Sequence, residues 1–160
     1  MNDVVLAPAD EVIQNLERLY GRFDIGVNGH PTPQWEERNL RDVWLERRLR
    51  FYWAPDHWLT KIRVNRRMIE AIQGVLTEIN ARWDPKAAEK EHLDTFVRCY
   101  AFGGGEARTP NAHWWGAAWD LSPRLSGVAL EETIKIFTRH GFTWYGGGSD
   151  KHLIRHLEYL

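Results

Sequence analysis

The chain has 160 residues, of which 43% are hydrophobic, and its formal net charge is -1 at pH 7. This length predicts one domain that buries about two-thirds of its unfolded surface, and the balanced charge excludes a disordered chain or a polycation that binds nucleic acid. Since no apolar run is long enough for a signal peptide or a membrane span, we expect a chain made in the cytoplasm and not attached to a membrane.

Aromatic residues are abundant, and cysteine is almost absent. The nine tryptophans are expected either in the core or, for some of them, on an exposed aromatic face that binds a ligand such as a glycan. The single cysteine, Cys99, excludes an internal disulfide framework and is expected to be buried.

The N-terminal third predicts two helical stretches separated by a loop. Apolar residues at helical spacing predict an amphipathic helix over 8–20, and glycines and prolines predict a loop from Asp24 to Gln34. Residues 35–49 are expected to form a short helix or an irregular segment. Three arginines at the end of that segment are expected to cover a helix C-terminus or to anchor the carboxylate of an anionic substrate: Arg47, Arg48 and Arg50.

The middle of the chain predicts the main core helix. Alternating residues 59–64 predict a strand, and Asn65 is a suitable N-cap for a long amphipathic helix over 66–82. The charged run 86–91 is expected to be a solvated connection. A buried strand over 95–102 is expected to deliver Arg98 and Tyr100 to the glycine-rich loop that follows.

The C-terminal third predicts a helix over 127–139 and short strands over 142–144 and 154–159. Together these elements predict an α+β fold in one domain, with helices packed on one side of a small, mainly antiparallel sheet. The open face of the sheet is the expected place for a site.

The stretch 111–121 carries the residues with the clearest chemistry. His113 and Asp120 lie seven positions apart, with the imidazole on a loop and the carboxylate inside a short strand. Gly116 allows the backbone between them to turn closely enough for both side chains to face one point. With a second imidazole from the final strand, this pair predicts a zinc site of two His and one Asp with an open fourth position. Taken singly, a loop His is usually solvated and a strand Asp usually pairs with a nearby Arg.

The order of these residues resembles a known enzyme family. The pattern is His113-x-x-Gly116-x-Ala118-x-Asp120, then a helix, then Gly-Phe-x-Trp144 and a terminal His156-Leu-Glu. It is similar to the zinc D-Ala-D-Ala carboxypeptidases and L-Ala-D-Glu endopeptidases, which include VanY-type enzymes, phage endolysins and extensin-like C-terminal domains of the Hedgehog/DD-peptidase fold. The resemblance covers roughly 35–160, which leaves residues 1–34 as a candidate local addition to a single 1–160 domain.

The resemblance implies a role for each matched residue. The implied zinc ligands are His113, Asp120 and His156, and Glu158 would orient a ligand imidazole. Either Arg98 or Arg108 would be the positive charge near the substrate carbonyl; the sequence does not choose between them. The implied partner is a peptidoglycan stem peptide bound by a monomer, without nucleic acid or membrane. The protein would reach the cell wall after release from the cytoplasm, or would be virion-associated.

Two positions depart from the family pattern: Asn111 replaces the family's common Ser two positions before the first His, and the second departure matters more. Leu153 stands where the family has an acidic residue, three positions before the last ligand, which takes a proton from the attacking water and later protonates the leaving amine. The nearby substitutes are Asp150, His152 and Glu158, of which Asp150 is the first choice; its other interpretation is a turn residue that caps its own backbone. The sequence therefore predicts a zinc peptidoglycan peptidase. Its alternative is a catalytically impaired module of the same fold that binds cell wall or forms part of a phage particle.

Overall fold

Helices and short strands are mixed along the chain. The computed structural model describes residues 9–102, 111–145 and 155–159, with residues 9, 10, 12 and 155–159 described as backbone alone. Over these residues the elements are α1 (Ala9–Tyr20), α2 (Pro33–Asn39), β1 (Leu40–Phe51), β2 (Ala54–Asn65), α3 (Ile69–Arg82), α4 (Pro85–Lys90), β3 (Thr95–Phe96), β4 (Ala118–Leu121), α5 (Gly127–Arg139), β5 (Phe142–Trp144) and β6 (Arg155–Tyr159). The fold is α+β, as predicted, and it forms one compact domain.

The strands form two small sheets where the sequence predicted one. In the described residues, the first sheet has the order β2-β1-β3, with β1 and β2 antiparallel and β3 parallel to β1. The second has the order β4-β6-β5 and is antiparallel throughout. An isolated bridge between Arg98 and Asp120 joins the segment after β3 to β4, so the two sheets meet at the predicted site.

Several predicted elements are confirmed: the first helix, the helix over 127–139 and the last two strands lie within one residue of their predicted bounds, and the core helix is present except for its first turn. The strand predicted over 59–64 is present but begins earlier, at Ala54. Asn65 caps as predicted, since its side-chain oxygen accepts a hydrogen bond from the Arg67 N–H. In this structure the cap leads first into a short 3₁₀ turn, Arg66–Met68, and then into α3.

The prediction for residues 35–49 is wrong over most of its length. A helix is present, but it begins at Pro33, where Thr32 caps it, and it ends at Asn39. The rest of the segment lies in β1, which pairs with β2 in a long hairpin. A register shift between Trp44 and Leu49 interrupts the two-residue alternation, so the apolar residues of this strand fall at spacings that resemble a helix.

Two further predictions in the middle of the chain need correction. The charged run 86–91 lies mostly in α4, because Asp84 caps the Ala87 N–H and Pro85 occupies the first turn. The same Asp-Pro pair that ends one helix therefore starts the next. The buried strand predicted over 95–102 is shorter, being β3 and the single bridge at Arg98.

The arginines predicted to cover a helix C-terminus lie on β1 instead of at the end of a helix. Arg47 nevertheless has that role for α3, since its guanidinium donates to the carbonyl oxygens of Trp83 at 2.8 Å and Asn80 at 3.2 Å. Arg48 and Arg50 stack over the Trp58 ring, at 4.7 and 4.8 Å from its centroid.

The apolar residues form two clusters. The larger lies between α3, α5 and both sheets and includes Cys99, which is buried as predicted. The smaller packs α1 and α2 against residues 112–118, the segment that carries the predicted site. Two indole N–H groups fix this contact: Trp115 donates to the Gly21 carbonyl at 2.8 Å and Trp35 to the Arg22 carbonyl at 2.9 Å. None of the described helices is both long and apolar enough to cross a membrane.

Candidate metal centre

A short 3₁₀ turn places His113. The turn runs over Ala112–Trp115, and the Asn111 side-chain oxygen caps it by accepting the His113 N–H at 3.0 Å. Gly116 ends the turn with a φ of 70°, a left-handed conformation that favours glycine. The chain then enters β4, where Asp120 lies, so the reversal at Gly116 brings the imidazole and the carboxylate together.

The contact between His113 and Asp120 has a defined polarity. The His113 Nδ1 lies 2.6 Å from the Cys99 carbonyl oxygen, which can only accept, so Nδ1 carries a hydrogen. The other ring nitrogen, Nε2, lies 3.0 Å from the Asp120 Oδ1. Because both of these atoms have lone pairs directed at each other, the contact is favourable only with a proton or a metal cation between them.

The spacing of these two donor atoms is close to that of two zinc ligands. Bond lengths of about 2.0 to 2.1 Å at a tetrahedral angle put two ligand atoms about 3.3 Å apart. The observed 3.0 Å between Nε2 and Oδ1 is therefore short by only a few tenths of an ångström. The Cys99 carbonyl, as the partner of Nδ1, fixes the tautomer in which Nε2 carries the lone pair that faces Asp120. These two residues fit the ion as two of its ligands.

Arg98 occupies the other oxygen of the same carboxylate. Its Nε and Nη2 lie 2.9 and 2.8 Å from the Asp120 Oδ2. Asp120 is 0% exposed, whereas the Arg98 side chain is 31% exposed. The ordinary interpretation of a strand Asp, an ion pair with a nearby Arg, therefore holds here together with the contact to His113.

The backbone places His156 beside Asp120. β4 and β6 pair in antiparallel register, with Asp120 opposite His156 and Ala118 opposite Glu158. Residues directly opposite each other in such a pair have Cβ atoms about 4.5 to 5.5 Å apart. Asp120 is thus flanked by Arg98 on one neighbouring segment and by His156 on the other.

The remaining predicted residues are not all covered. Arg108, Asp150, His152 and Leu153 lie outside the described residues, and for His156 and Glu158 only the backbone is placed. Within the side chains that the structure does describe, no group of three or more His, Cys, Asp or Glu could hold a metal ion.

Two groups that the sequence did not assign to the site support it. The Asn65 side chain donates to the Trp115 carbonyl at 2.9 Å, and its backbone N–H donates to the Gly116 carbonyl at 2.9 Å. The N-cap of the core helix therefore also holds the turn that carries His113. The second group is the Cys99 carbonyl. Burial and, secondly, the Asp120 carboxylate raise the pKa of the Cys99 thiol, whose sulfur lies 3.5 Å from the Gly116 carbonyl oxygen.

No protein-family model, curated protein or solved structure matches this chain. The resemblance to the zinc peptidases thus stays a prediction carried by the residues named for it.

Proposed function

We propose that this protein is a zinc metallopeptidase that hydrolyses peptide bonds in peptidoglycan stem peptides, of the endolysin or carboxypeptidase type. The observation that carries the proposal is the 3.0 Å approach of His113 Nε2 to Asp120 Oδ1, with Nδ1 held by a backbone carbonyl. A buried imidazole and a buried carboxylate that present lone pairs to one point suit a divalent metal.

His156 is the third ligand in this proposal. Its support is the register of β4 and β6, which puts residue 156 directly opposite Asp120. When bound, zinc supplies a Lewis acid for the scissile carbonyl and lowers the pKa of a water molecule. The chain's own residues then have to orient the ligands and move the protons.

Arg98 is assigned to positioning Asp120. Both of its contacting nitrogens lie on Oδ2, so the guanidinium neutralises the carboxylate and turns Oδ1 towards His113. This leaves Arg108 as the residue of the pair proposed to face the substrate carbonyl. Asp150 is the proposed general base, in place of the acidic residue that Leu153 replaces.

A second function has its own support. Arg98 and Asp120 form an ion pair, and a single proton shared by Asp120 Oδ1 and His113 Nε2 would satisfy the remaining contact without a metal. With Leu153 at the position of the family's acid, the chain would then be a catalytically impaired module that binds cell wall or forms part of a phage particle.

Metal content tests the site. We expect about one zinc ion per chain, with excess zinc stabilising the fold by a few kcal/mol, because the ion binds only the folded form. His113→Ala and His156→Ala should each remove the metal, whereas His30→Ala, a change on an exposed loop, should not. The proposal fails if chain purified without chelator holds no transition metal and added zinc leaves Tm unchanged.

Hydrolysis separates the two functions. Wild type and Leu153→Asp are incubated with purified sacculi, and the released amino groups are measured. If the chain is a peptidase with Asp150 as its base, wild type is active and Leu153→Asp adds little. If it is an impaired module, wild type is inert and Leu153→Asp gains hydrolysis, by up to about 10²–10⁴ over the wild-type background. Zinc-loaded protein that is inert in both forms would refute the peptidase proposal.

A further inference from the structure

The end of the β1–β2 hairpin borders a cleft of about 440 Å³. We call it the hairpin cleft, and its lining includes Arg50, Tyr52, Trp53, Glu89, Asp94 and Arg124. A volume in this range is typical of sites for small molecules, and such sites combine aromatic walls with a few polar groups.

One wall of the hairpin cleft is an exposed indole. The Trp53 side chain lies in the hairpin turn, and the residue is 63% exposed. Tyr52 packs edge-on against it, with ring centroids 4.9 Å apart and planes at 86°. This contact braces the indole while leaving most of its surface to solvent, an arrangement that favours a ligand with a flat apolar face.

The charges of the hairpin cleft are nearly balanced. The Arg50 guanidinium lies 3.3 Å from a Glu89 oxygen and 3.5 Å from an Asp94 oxygen, so two carboxylates already surround this cation. Arg124 adds a second cation at the rim. The cleft therefore offers donors and acceptors in similar number without a strong preference for an anion or a cation.

A sugar ring matches this combination. One face of a pyranose is a flat set of C–H bonds that can lie on an indole, and its rim carries hydroxyl groups that both donate and accept hydrogen bonds. A charged ligand would instead require a surplus of one sign. A purely apolar ligand would offer no hydrogen bonds to the exposed polar groups of the cleft, Glu89 and Arg124.

The hairpin cleft lies close to the candidate metal centre along the same segments. Thr95, which pairs with Arg50 in the first sheet, precedes Arg98 by three residues. Ser122 lines the cleft and follows Asp120 by two residues, a step of about 7 Å along an extended chain. A substrate made of sugar and peptide could therefore contact both places.

We propose that the hairpin cleft binds a saccharide unit of the substrate. That the ligand is a sugar is inferred from the residues of the cleft itself. That the sugar is the amino-sugar chain to which stem peptides are attached rests on the proposed function. Trp53 would be a specificity residue that favours peptide joined to glycan over free peptide.

The test uses the full chain with chelator present and a peptide-free probe, the β-1,4-linked tetramer of N-acetylglucosamine. Titration calorimetry should give saturable binding in the millimolar range or tighter, and Trp53→Ala should weaken it about tenfold. Trp44→Ala is the matched control, because Trp44 is 71% exposed on the same hairpin and lies outside the cleft lining. This control should bind as wild type does.

The inference is overturned by no binding at about 10 mM saccharide, by equal losses in both variants, or by Trp53-dependent binding of polyphosphate in place of the sugar. Its outcome is independent of the zinc site, because the chelator removes any metal from wild type and from both variants alike. A protein that binds the sugar but no zinc would keep this inference and refute the metallopeptidase.

Discussion

Replacing Gly116 with alanine should destabilise the fold by about 2–4 kcal/mol. Its φ of 70° alone costs an alanine about 1 kcal/mol. The new Cβ would also lie 2.9 Å from the Asn65 backbone nitrogen and 3.1 Å from the Leu40 Cδ2. The Asn65 N–H donates to the Gly116 carbonyl at 2.9 Å, so a shift that relieves the first contact strains this hydrogen bond. Such overpacking against backbone adds about 1–3 kcal/mol.

Matched glycines separate the two terms. Gly21 and Gly29 have φ values of 83° and 75°, and a Cβ at either would meet nothing within 4 Å. Gly21→Ala and Gly29→Ala should therefore cost only the conformational term, about 1 kcal/mol each. Urea unfolding of the three variants and wild type, with m values checked for equality, measures the difference. A Gly116→Ala loss within about 0.5 kcal/mol of the Gly21→Ala loss would refute the close-approach reasoning.

Two further predictions concern the hairpin. Arg47→Ala should lower the free energy of unfolding in urea by about 1–2 kcal/mol, because it removes two hydrogen bonds from a cation to carbonyl oxygens at the end of α3. Arg48→Ala is the neighbouring control. An equal loss of stability in Arg48→Ala would contradict the capping role of Arg47. Hydrogen bonding from Lys61, followed by that from Arg63, lowers the pKa of Asp42. A carboxyl group with a lowered folded-state pKa stabilises the fold above its unfolded pKa, near 3.9, and this stabilisation is lost as the pH falls through the folded-state pKa. Asp42→Asn should therefore be less stable than wild type at pH 7, and the two stabilities should converge below about pH 4. A stability difference that does not change with pH would contradict this.

The sequence predicted secondary structure correctly where residues close in the chain determine the backbone conformation. Asn65 and the apolar spacing after it were enough to predict α3, because a cap and an amphipathic stripe are both sequence-local. The hairpin was missed because the irregularity between Trp44 and Leu49 arises from pairing with β2, and pairing is not visible in one strand. The two-sheet division has the same cause, since it depends on which strands meet.

The candidate site, too, was predictable from the sequence only in part. The meeting of His113 and Asp120 was predictable, because seven residues and a glycine leave few ways for the chain to turn. The Cys99 carbonyl was not predictable, since every residue has a carbonyl and this one lies 14 positions away from His113. The contact between Asn65 and Trp115 spans 50 positions, and a capping Asn carries no mark of a second partner.

Asp120 connects the two proposed functions through its two oxygens. Oδ2 is held by Arg98 and Oδ1 faces His113, so a metal at Oδ1 would not have to displace the guanidinium. The carboxylate would therefore keep a compensating charge whether it shares a proton with His113 or holds a metal ion. The contacts around this pair therefore do not by themselves distinguish a peptidase from an inert module. What distinguishes the two is whether His113 and Asp120 would hold a metal ion and which residue is the base, which is why metal content has to be measured before activity is interpreted.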